Sequence, residues 1–225
     1  HMDTTLQQLI QGGSVNEAAI QIRDATQDPF EFWNKWFDCA AYHSNSHERL
    51  IELARALQKH HVGMIDGVKL WEDLPHFNRS LRETFERKFA CGLGLTQTVY
   101  DDMTKPDQFI NICRIYALCA REHMADTLAY AVILFRGVLE QEKMPDAVDT
   151  RLRALLAWVE IAGNQLYNNG DPRLESSPLC RSGEKWNGRP GLSKERWCFW
   201  KERLHAISSD YSLDLCRAMN AAECV

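Results

Sequence analysis

One carboxylate stands out in the sequence because its neighbours are apolar. Glu160 lies in the segment 154–162, which is otherwise made of Ala, Leu, Trp, Val and Ile. A carboxylate held among apolar groups has a raised pKa and can act as a general acid or base. The alternative is that Glu160 pairs with an arginine or lies at the edge of the buried stripe, because buried glutamates are rare and usually paired. An exposed Glu160, or no enclosed cavity beside it, would argue against the catalytic role.

Two polar residues follow Glu160 at helical spacing. Asn164 and Tyr167 stand at i+4 and i+7, so a helix would place all three side chains on one face. We therefore predict Glu160 and Tyr167 as catalytic residues, with Glu160 moving a proton and Tyr167 or Asn164 orienting a ligand. Asn164 is predicted as a ligand-binding residue.

Tryptophans could supply the walls of a pocket around this face. The sequence has seven of them, and we predict that four bind ligand and exclude water: Trp71, Trp158, Trp197 and Trp200. Aromatic residues at helical spacing more often belong to the core, since each buries a large area.

These residues support two hypotheses from different functional classes. In the first, the protein binds an apolar small molecule in an enclosed aromatic-lined pocket and, if it is an enzyme, converts it by acid/base or cyclase/isomerase chemistry without a cofactor. In the second, it is a non-catalytic helical scaffold that binds a partner protein through an apolar groove, with a homodimer as the simplest form.

The sequence lacks the signature motifs of several functional classes. The sequence contains no G-x-G-x-x-G, P-loop, H-E-x-x-H or G-x-S-x-G motif, so we predict no cofactor. His43 and His47 have metal-pair spacing, but Ser44-Asn45-Ser46 between them indicates a helix break, so we predict no metal site. The net charge of −5 and the short apolar runs indicate neither nucleic-acid binding nor a membrane span.

The elements that carry these residues have helical signatures from end to end. Ser14-Val15-Asn16-Glu17 is a capping box, and Asp28-Pro29 is typical of a helix start. We predict an all-α fold of about 9–10 helices, as an antiparallel helical bundle or a short stack of helical hairpins, in a single domain over 1–225. His1 is expected to be a cloning remnant and Met2 the start, with no secretory signal and a cytoplasmic setting.

The most apolar part, about 109–167, is expected to form the core. Within it, Pro145 is predicted to open a long helix that reaches about Asn168. The segment 168–192 is rich in Gly, Pro and Ser and is predicted to be a long loop or lid. Two helices follow, at about 193–207 and 212–222. The eight cysteines have no C-x-x-C spacing and are expected to be reduced thiols.

Three segments resemble a family of fungal helical proteins known as domain-of-unknown-function family 3632. They are 70–77 with Leu81-Arg82-Glu83; Pro190-Gly191-Leu192-Ser193 with Arg196, Trp197, Trp200, Lys201 and Arg203; and Trp158 through Tyr167. The resemblance covers about 29–219 and implies a fungal source, a helical fold and an intracellular setting. It implies no reaction and no site residues, and Phe85 stands where the pattern leads us to expect Trp.

Overall fold

The computed structural model of the chain contains two compact units. It describes residues 2–26, 28–60, 64–65, 68–69, 71–88 and 105–225. The units are His1–Ala90 and Cys91–Val225, and each is described by itself. The single domain expected from the sequence stays a prediction.

The predicted all-α fold class is confirmed, with packed helices that form a bundle. The described residues form eleven α-helices: α1 (Met2–Ile10), α2 (Val15–Ala25), α3 (Pro29–Tyr42), α4 (His47–Lys59), α5 (Phe77–Lys88), α6 (Pro106–Arg121), α7 (Leu128–Leu139), α8 (Val148–Tyr167), α9 (Pro172–Ser176), α10 (Lys194–Leu204) and α11 (Asp210–Ala222). The sequence patterns did not predict helices α1 and α9. Strands β1 (Met64–Ile65) and β2 (Val68–Lys69) form a short antiparallel pair.

Side-chain caps fix several helix starts where the sequence predicts them. The Ser14 hydroxyl accepts a hydrogen bond from the backbone N–H of Glu17 at 3.3 Å. The Asp28 carboxylate accepts from the N–H groups of Phe30 and Glu31 at 2.9 and 3.3 Å. These bonds satisfy backbone donors that have no partner inside the helix.

Two predicted boundaries differ from the structure. Helix α8 begins at Val148 rather than Pro145, after Ala147 in the left-handed conformation at φ 51°. The segment 168–192 is not a plain loop, because it carries α9 and a 3-10 turn at Pro178–Cys180. The sequence also predicts that Gly92 ends the helix that contains Leu81, and Gly92 lies outside the described residues.

In the first unit, α3 carries the centre of an aromatic core. Trp33 has no exposed surface and makes edge-to-face contacts with Phe32, Trp36, Trp71 and Phe77, at centroid distances of 4.8 to 5.9 Å. Such pairs add to the stabilisation that comes from burial alone. The aromatic residues of α3 therefore serve as core.

The turn between β2 and α5 has an unusual backbone. Trp71, Leu74 and His76 all have left-handed φ values, of 70°, 46° and 63°. This conformation is unfavourable for residues other than glycine, so the surroundings must hold it. Two side chains do so: Trp33 Nε1 donates to the Pro75 carbonyl at 2.9 Å, and Gln58 Nε2 donates to the Glu72 carbonyl at 3.2 Å.

In the second unit, α8 is the central element. It packs mainly against α6 and α11, with α7 also in contact. Its buried face includes Leu152, Leu155, Trp158 and Leu166, which confirms the predicted apolar core. In the described part of the chain, no helix has both the length and the apolar character that crossing a bilayer requires.

The hydrogen bond to the 71–76 turn gives the first prediction. Trp33→Phe keeps an aromatic ring but leaves the Pro75 carbonyl without its donor. Trp36→Phe is the matched control: Trp36 Nε1 donates to the Leu50 carbonyl, which lies inside α4 and has a helical partner. We expect Trp33→Phe to lower the free energy of unfolding by about 1–2 kcal/mol more than Trp36→Phe, because only it orphans a carbonyl. Urea unfolding followed by far-UV circular dichroism measures the difference, and equal losses would contradict it.

Candidate functional site

Glu160 does not occupy the buried position expected for it. Its side chain is exposed on α8, whereas Trp158, Val159 and Ala162 are buried. Adjacent residues on a helix point about 100° apart, so apolar neighbours in sequence need not enclose a side chain. The prediction that Glu160 is held among apolar groups is wrong, so the catalytic role predicted for it lacks the support of burial.

The four tryptophans predicted to bind ligand are core residues. Trp71, Trp158, Trp197 and Trp200 are at most 1% exposed. Tyr167 is half-buried, with its ring 5.7 Å from that of Trp197. None of these residues, nor Glu160, lines either of the two clefts described below. The structure therefore does not bring the predicted site together as an aromatic pocket.

An open cleft in the second unit contains one of the predicted residues, Asn164. Its volume is about 620 Å³, which lies within the range of small-molecule sites. The lining residues come from the ends of α6 and α8 and from the segments that follow them: Ala120, His123, Ala125, Asp126, Leu128, Asn164, Gln165, Asn168, Asn169, Gly170, Asp171 and Arg173. We call it the amide cleft.

Helix α8 is kinked just before it reaches the amide cleft. Ala162 has non-helical dihedral angles of φ −126° and ψ 16°. Gly163 follows, and a Cβ there would lie 2.9 Å from the Ala222 Cβ of α11. Glycine therefore permits the close approach of α11 at the kink.

Four side-chain amides line the cleft at the end of α8. They belong to Asn164, Gln165, Asn168 and Asn169, which stand at i, i+1, i+4 and i+5. Asn164 Nδ2 donates to the Val225 carbonyl at 2.8 Å, and Gln165 Nε2 donates to the Ala120 carbonyl at 3.2 Å. The Gln165 oxygen is screened from solvent and accepts no hydrogen bond from the residues that the structure describes.

Another part of the cleft lining begins where α6 ends. His123 N–H donates to Ala120 O and Met124 N–H to Cys119 O, the Schellman arrangement of a helix end. His123 has φ 55° at the position where glycine is usual. A side chain that lines the cleft thus occupies a backbone position at which it is conformationally unfavourable.

Charges in the amide cleft are partly balanced. Arg173 Nη2 lies 2.6 Å from an Asp171 carboxylate oxygen and 3.8 Å from one of Asp126. Hydrogen bonds from the Arg173 side chain, and then from its backbone N–H, lower the pKa of Asp171 below its ordinary value. Two carboxylates and one guanidinium give these three side chains a net charge of −1.

A smaller cleft of about 370 Å³ lies in the first unit. Residues of α1, α2 and the turn between them line it, and they include Gln8, Gln11, Glu17 and Gln21. The Thr5 hydroxyl is 3.2 Å from the Gln21 side-chain oxygen at its edge.

A fully buried carboxylate does exist, at Glu140 rather than Glu160. Glu140 caps the C-terminal end of α7, and neither it nor Arg196 has exposed side-chain surface. Arg196 Nε and Nη2 donate to the two Glu140 oxygens at 2.7 and 3.0 Å. Trp200 Nε1 and the Gly183 N–H add donations at 2.7 Å each. With four donors, the carboxylate is saturated, which suits a structural role better than proton transfer.

Arg196 uses all of its hydrogen-bonding capacity. Besides Glu140, it donates to the carbonyls of Cys180, Arg181 and Gly191 at 2.7 to 2.9 Å, so its five N–H donors are all engaged. These bonds hold the segment 180–191 against α7 and α10. We call Glu140, Arg196 and Trp200 the buried triad.

The sequence analysis did not predict the buried triad, because Arg196 and Trp200 lie 56 and 60 residues after Glu140. A weak signal was present: an acidic residue follows shortly after the apolar run 128–135, and an arginine stands between Ser193 and Trp197. Gly191, at φ 85° and in contact with the Glu175 backbone, supplies one of the carbonyls.

Burial controls the chemistry of two described cysteines in this unit. Cys113 and Cys180 are free thiols, and burial raises their pKa values to about 12 and about 11. Cys198 and Cys224 are free and exposed.

Among the described residues, no group of three or more His, Cys, Asp or Glu side chains has the arrangement to hold a metal ion. His47 is buried at the start of α4, and its Nε2 lies 2.7 Å from the Ala40 carbonyl, whereas His43 is exposed at the end of α3.

The model of the family described as "Protein of unknown function (DUF3632)" matches residues 33–204. The chain belongs to this family. No curated protein and no solved structure matched the chain. The segments that resemble the family supply the 71–76 turn, part of the α8 core, and Arg196 and Trp200 of the buried triad, so in this member they contribute to packing.

The second prediction concerns the buried triad. Glu140→Gln places an NH₂ group among four N–H donors and leaves Arg196 as an unpaired buried charge. We expect a loss of about 3–5 kcal/mol in the free energy of unfolding. Glu142→Gln is the control, since Glu142 is 68% exposed in its pair with Lys185, and it should change stability by less than about 0.5 kcal/mol. Similar values for the two variants in denaturant titrations would contradict the structural role.

The third prediction concerns the thiols. Iodoacetamide at pH 8 should modify Cys198 and Cys224 first, and Cys113 and Cys180 only after unfolding, because the thiolate is the reactive form. Peptide mass mapping reads out the order.

The same pKa values predict a pH dependence of stability. Cys113 titrates at about 12 when folded against 9.0 in its unperturbed state, so its neutral form is favoured by folding. The unfolded chain loses this proton first as the pH rises. The stabilisation of the folded state that comes from the neutral Cys113 thiol is therefore complete below pH 9, and it is lost between pH 9 and about 12. Denaturant titrations at pH 8 and pH 10 should show the decrease, and Cys113→Ala should reduce it; an unchanged pH dependence in that variant would contradict the assignment.

Proposed function

We propose that this protein binds a small neutral or cationic molecule rich in N–H or O–H groups in the amide cleft. The observation that carries the proposal is the convergence of four side-chain amides on one cleft of about 620 Å³. Amides offer donors and acceptors side by side, which suits ligands that carry both. The function is thus a binding function, with Asn164 kept from the sequence-based prediction.

The Gln165 side-chain oxygen accepts no hydrogen bond from the described residues, which favours a ligand that carries a hydrogen-bond donor. A buried acceptor without a donor costs about 1–3 kcal/mol. A ligand N–H or O–H at this end of the cleft would recover part of that energy after a rotation of the amide group, whose terminal torsion is soft. The net charge of −1 on Asp126, Asp171 and Arg173 favours neutral or cationic ligands over anions.

The scaffold and homodimer alternatives have less support. Among the described residues, the large exposed apolar side chains are Ile20, Tyr42, Met144, Leu213 and Val225, and they lie on different elements. A partner surface usually needs a contiguous apolar patch. Sedimentation analysis at increasing concentration would reveal self-association if it occurs.

The fifth prediction tests the amide cleft with a panel of probes. The panel is a hexose, an N-acetylhexosamine, a ribonucleoside and a blocked dipeptide, added at millimolar concentration to ¹⁵N-labelled protein. We expect at least one probe to shift the side-chain amide signals of the cleft in a saturable way. Asn168 is exposed and lines the cleft, so Asn168→Ala should fold normally and weaken binding about 5- to 10-fold, the loss of one hydrogen bond.

Asn187→Ala is the matched control, because Asn187 is equally exposed and lies outside the cleft. It should bind the probe as the unmodified protein does. The proposal is overturned if no probe in the panel gives saturable shifts, or if Asn168→Ala and Asn187→Ala bind equally well.

A further inference from the structure

The amide cleft contains a carboxylate that accepts no hydrogen bond within the described part of the chain. Asp126 lines the cleft, and its Oδ2 lies 3.8 Å from Arg173 Nη2, which is beyond hydrogen-bonding distance. The Asp126 side chain is 57% exposed, so the carboxylate is open to a ligand. Asp126 therefore gives the cleft a negative charge whose hydrogen-bonding capacity is not used by the residues that the structure describes.

Arg173 does not balance the charge of Asp126, because it is committed to the other carboxylate of the cleft. Asp171 accepts hydrogen bonds from Arg173 Nε and Nη2 at 2.6 to 3.0 Å, and from the Arg173 backbone N–H at 2.9 Å. The last of these bonds also caps the start of α9. Since one guanidinium neutralises one carboxylate, the net charge of −1 in this group belongs to Asp126.

Gln165 adds a second acceptor that has no donor. Its Oε1 is screened from solvent and accepts no hydrogen bond from the described residues, whereas its Nε2 donates to the Ala120 carbonyl at 3.2 Å. Gln165 belongs to α8, and Asp126 lies between α6 and α7, so two separate segments present these acceptors to one cleft. Both groups need a donor, and one of them is charged.

Other residues of the lining suit a short alkyl chain. Ala120, Ala125 and Leu128 are its apolar members. No Phe, Tyr or Trp is found among the described residues that line the cleft. Quaternary ammonium groups and planar bases are commonly held by an aromatic face. The lining therefore favours an alkyl group that ends in N–H donors.

We infer that the ligand of the amide cleft is a small primary alkylamine in its ammonium form, bound by the Asp126 carboxylate and the Gln165 oxygen. This inference rests on the proposed binding function and narrows its class of ligand. An alkylammonium group has three N–H donors and one positive charge, which matches two acceptors of which one is charged. A hydrogen bond between ionised partners is stronger than one between neutral groups, so the charge should dominate selectivity.

Three probes that share a four-carbon chain and a hydroxyl group test this class of ligand. They are 4-amino-1-butanol, 1,4-butanediol and (4-hydroxybutyl)trimethylammonium, each titrated at pH 8 into the ¹⁵N-labelled full chain. We expect the amine to bind about 5-fold more tightly than the diol, which is the scale of a solvent-exposed ion pair. The trimethylammonium probe has the charge without N–H donors and should bind more weakly than the amine. Added sodium chloride should weaken the binding of the amine but not of the diol.

Asp126→Asn removes the charge and keeps a side chain of the same size. It should weaken the binding of 4-amino-1-butanol about 5-fold and leave that of 1,4-butanediol unchanged. Asp214→Asn is the matched control, because Asp214 is 51% exposed and also lies 3.8 Å from an arginine, but outside the cleft. Both positions are exposed, so both variants should fold. The control should bind all three probes as the unmodified protein does.

Gln165→Met removes the amide oxygen and keeps an unbranched side chain. The Ala120 carbonyl retains a donor in this variant, since it also accepts from the His123 N–H at 3.1 Å. Gln165→Met should weaken the binding of 4-amino-1-butanol more than that of the trimethylammonium probe, because only the amine carries an N–H donor for the missing oxygen.

The outcomes separate this inference from the proposed function. If neutral probes give saturable shifts but the amine binds no more tightly than the diol, the ammonium ligand is wrong and the cleft remains a binding site. Equal binding of the amine and the trimethylammonium probe, or equal losses in Asp126→Asn and Asp214→Asn, also overturns the inference. If no probe, neutral or cationic, shifts the amide signals of the cleft, the inference and the proposed function are both overturned.

Discussion

Glu140 and Arg196 form the interaction on which the second unit depends. Both side chains lack exposed surface, so their mutual attraction must compensate for the loss of hydration. It can do so because every remaining donor of Arg196 reaches a backbone carbonyl, and four donors reach the carboxylate of Glu140. The Trp200 ring stacks on Phe135 at 4.3 Å and closes the apolar side. The pair thereby joins α7, α10 and the segment between α9 and α10.

The first unit depends on a comparable arrangement of side chain and backbone. Three residues of the 71–76 turn have left-handed backbones, and indole and amide donors from α3 and α4 hold its carbonyls. In the first unit, the segment that resembles the family supplies the backbone that is held. In the second unit, Arg196 belongs to a resembling segment and itself holds backbone carbonyls. The Trp, Pro and Arg residues of these segments therefore serve the packing of the described part of this chain.

The amide cleft and the buried triad differ in their physical character. The amide cleft is open, lined by side-chain amides, and slightly acidic through Asp126, Asp171 and Arg173. In the buried triad, the side chains of Glu140 and Arg196 have no exposed surface, and their hydrogen-bonding groups are all engaged within the protein.

Local patterns in the sequence determined the fold class, most helix positions, the caps at Ser14 and Asp28 and the apolar core, because these follow from periodicity and from hydrogen bonds within a few residues. They did not determine which carboxylate is buried. Glu160, set among apolar neighbours, faces outward, whereas Glu140, at the end of an apolar helix, is enclosed. Burial depends on the direction of a side chain and on partners tens of residues away, and only the tertiary structure decides those. For the same reason, only the tertiary structure shows that Trp158 and Trp200 belong to the core and that the amides at the end of α8 line a cleft.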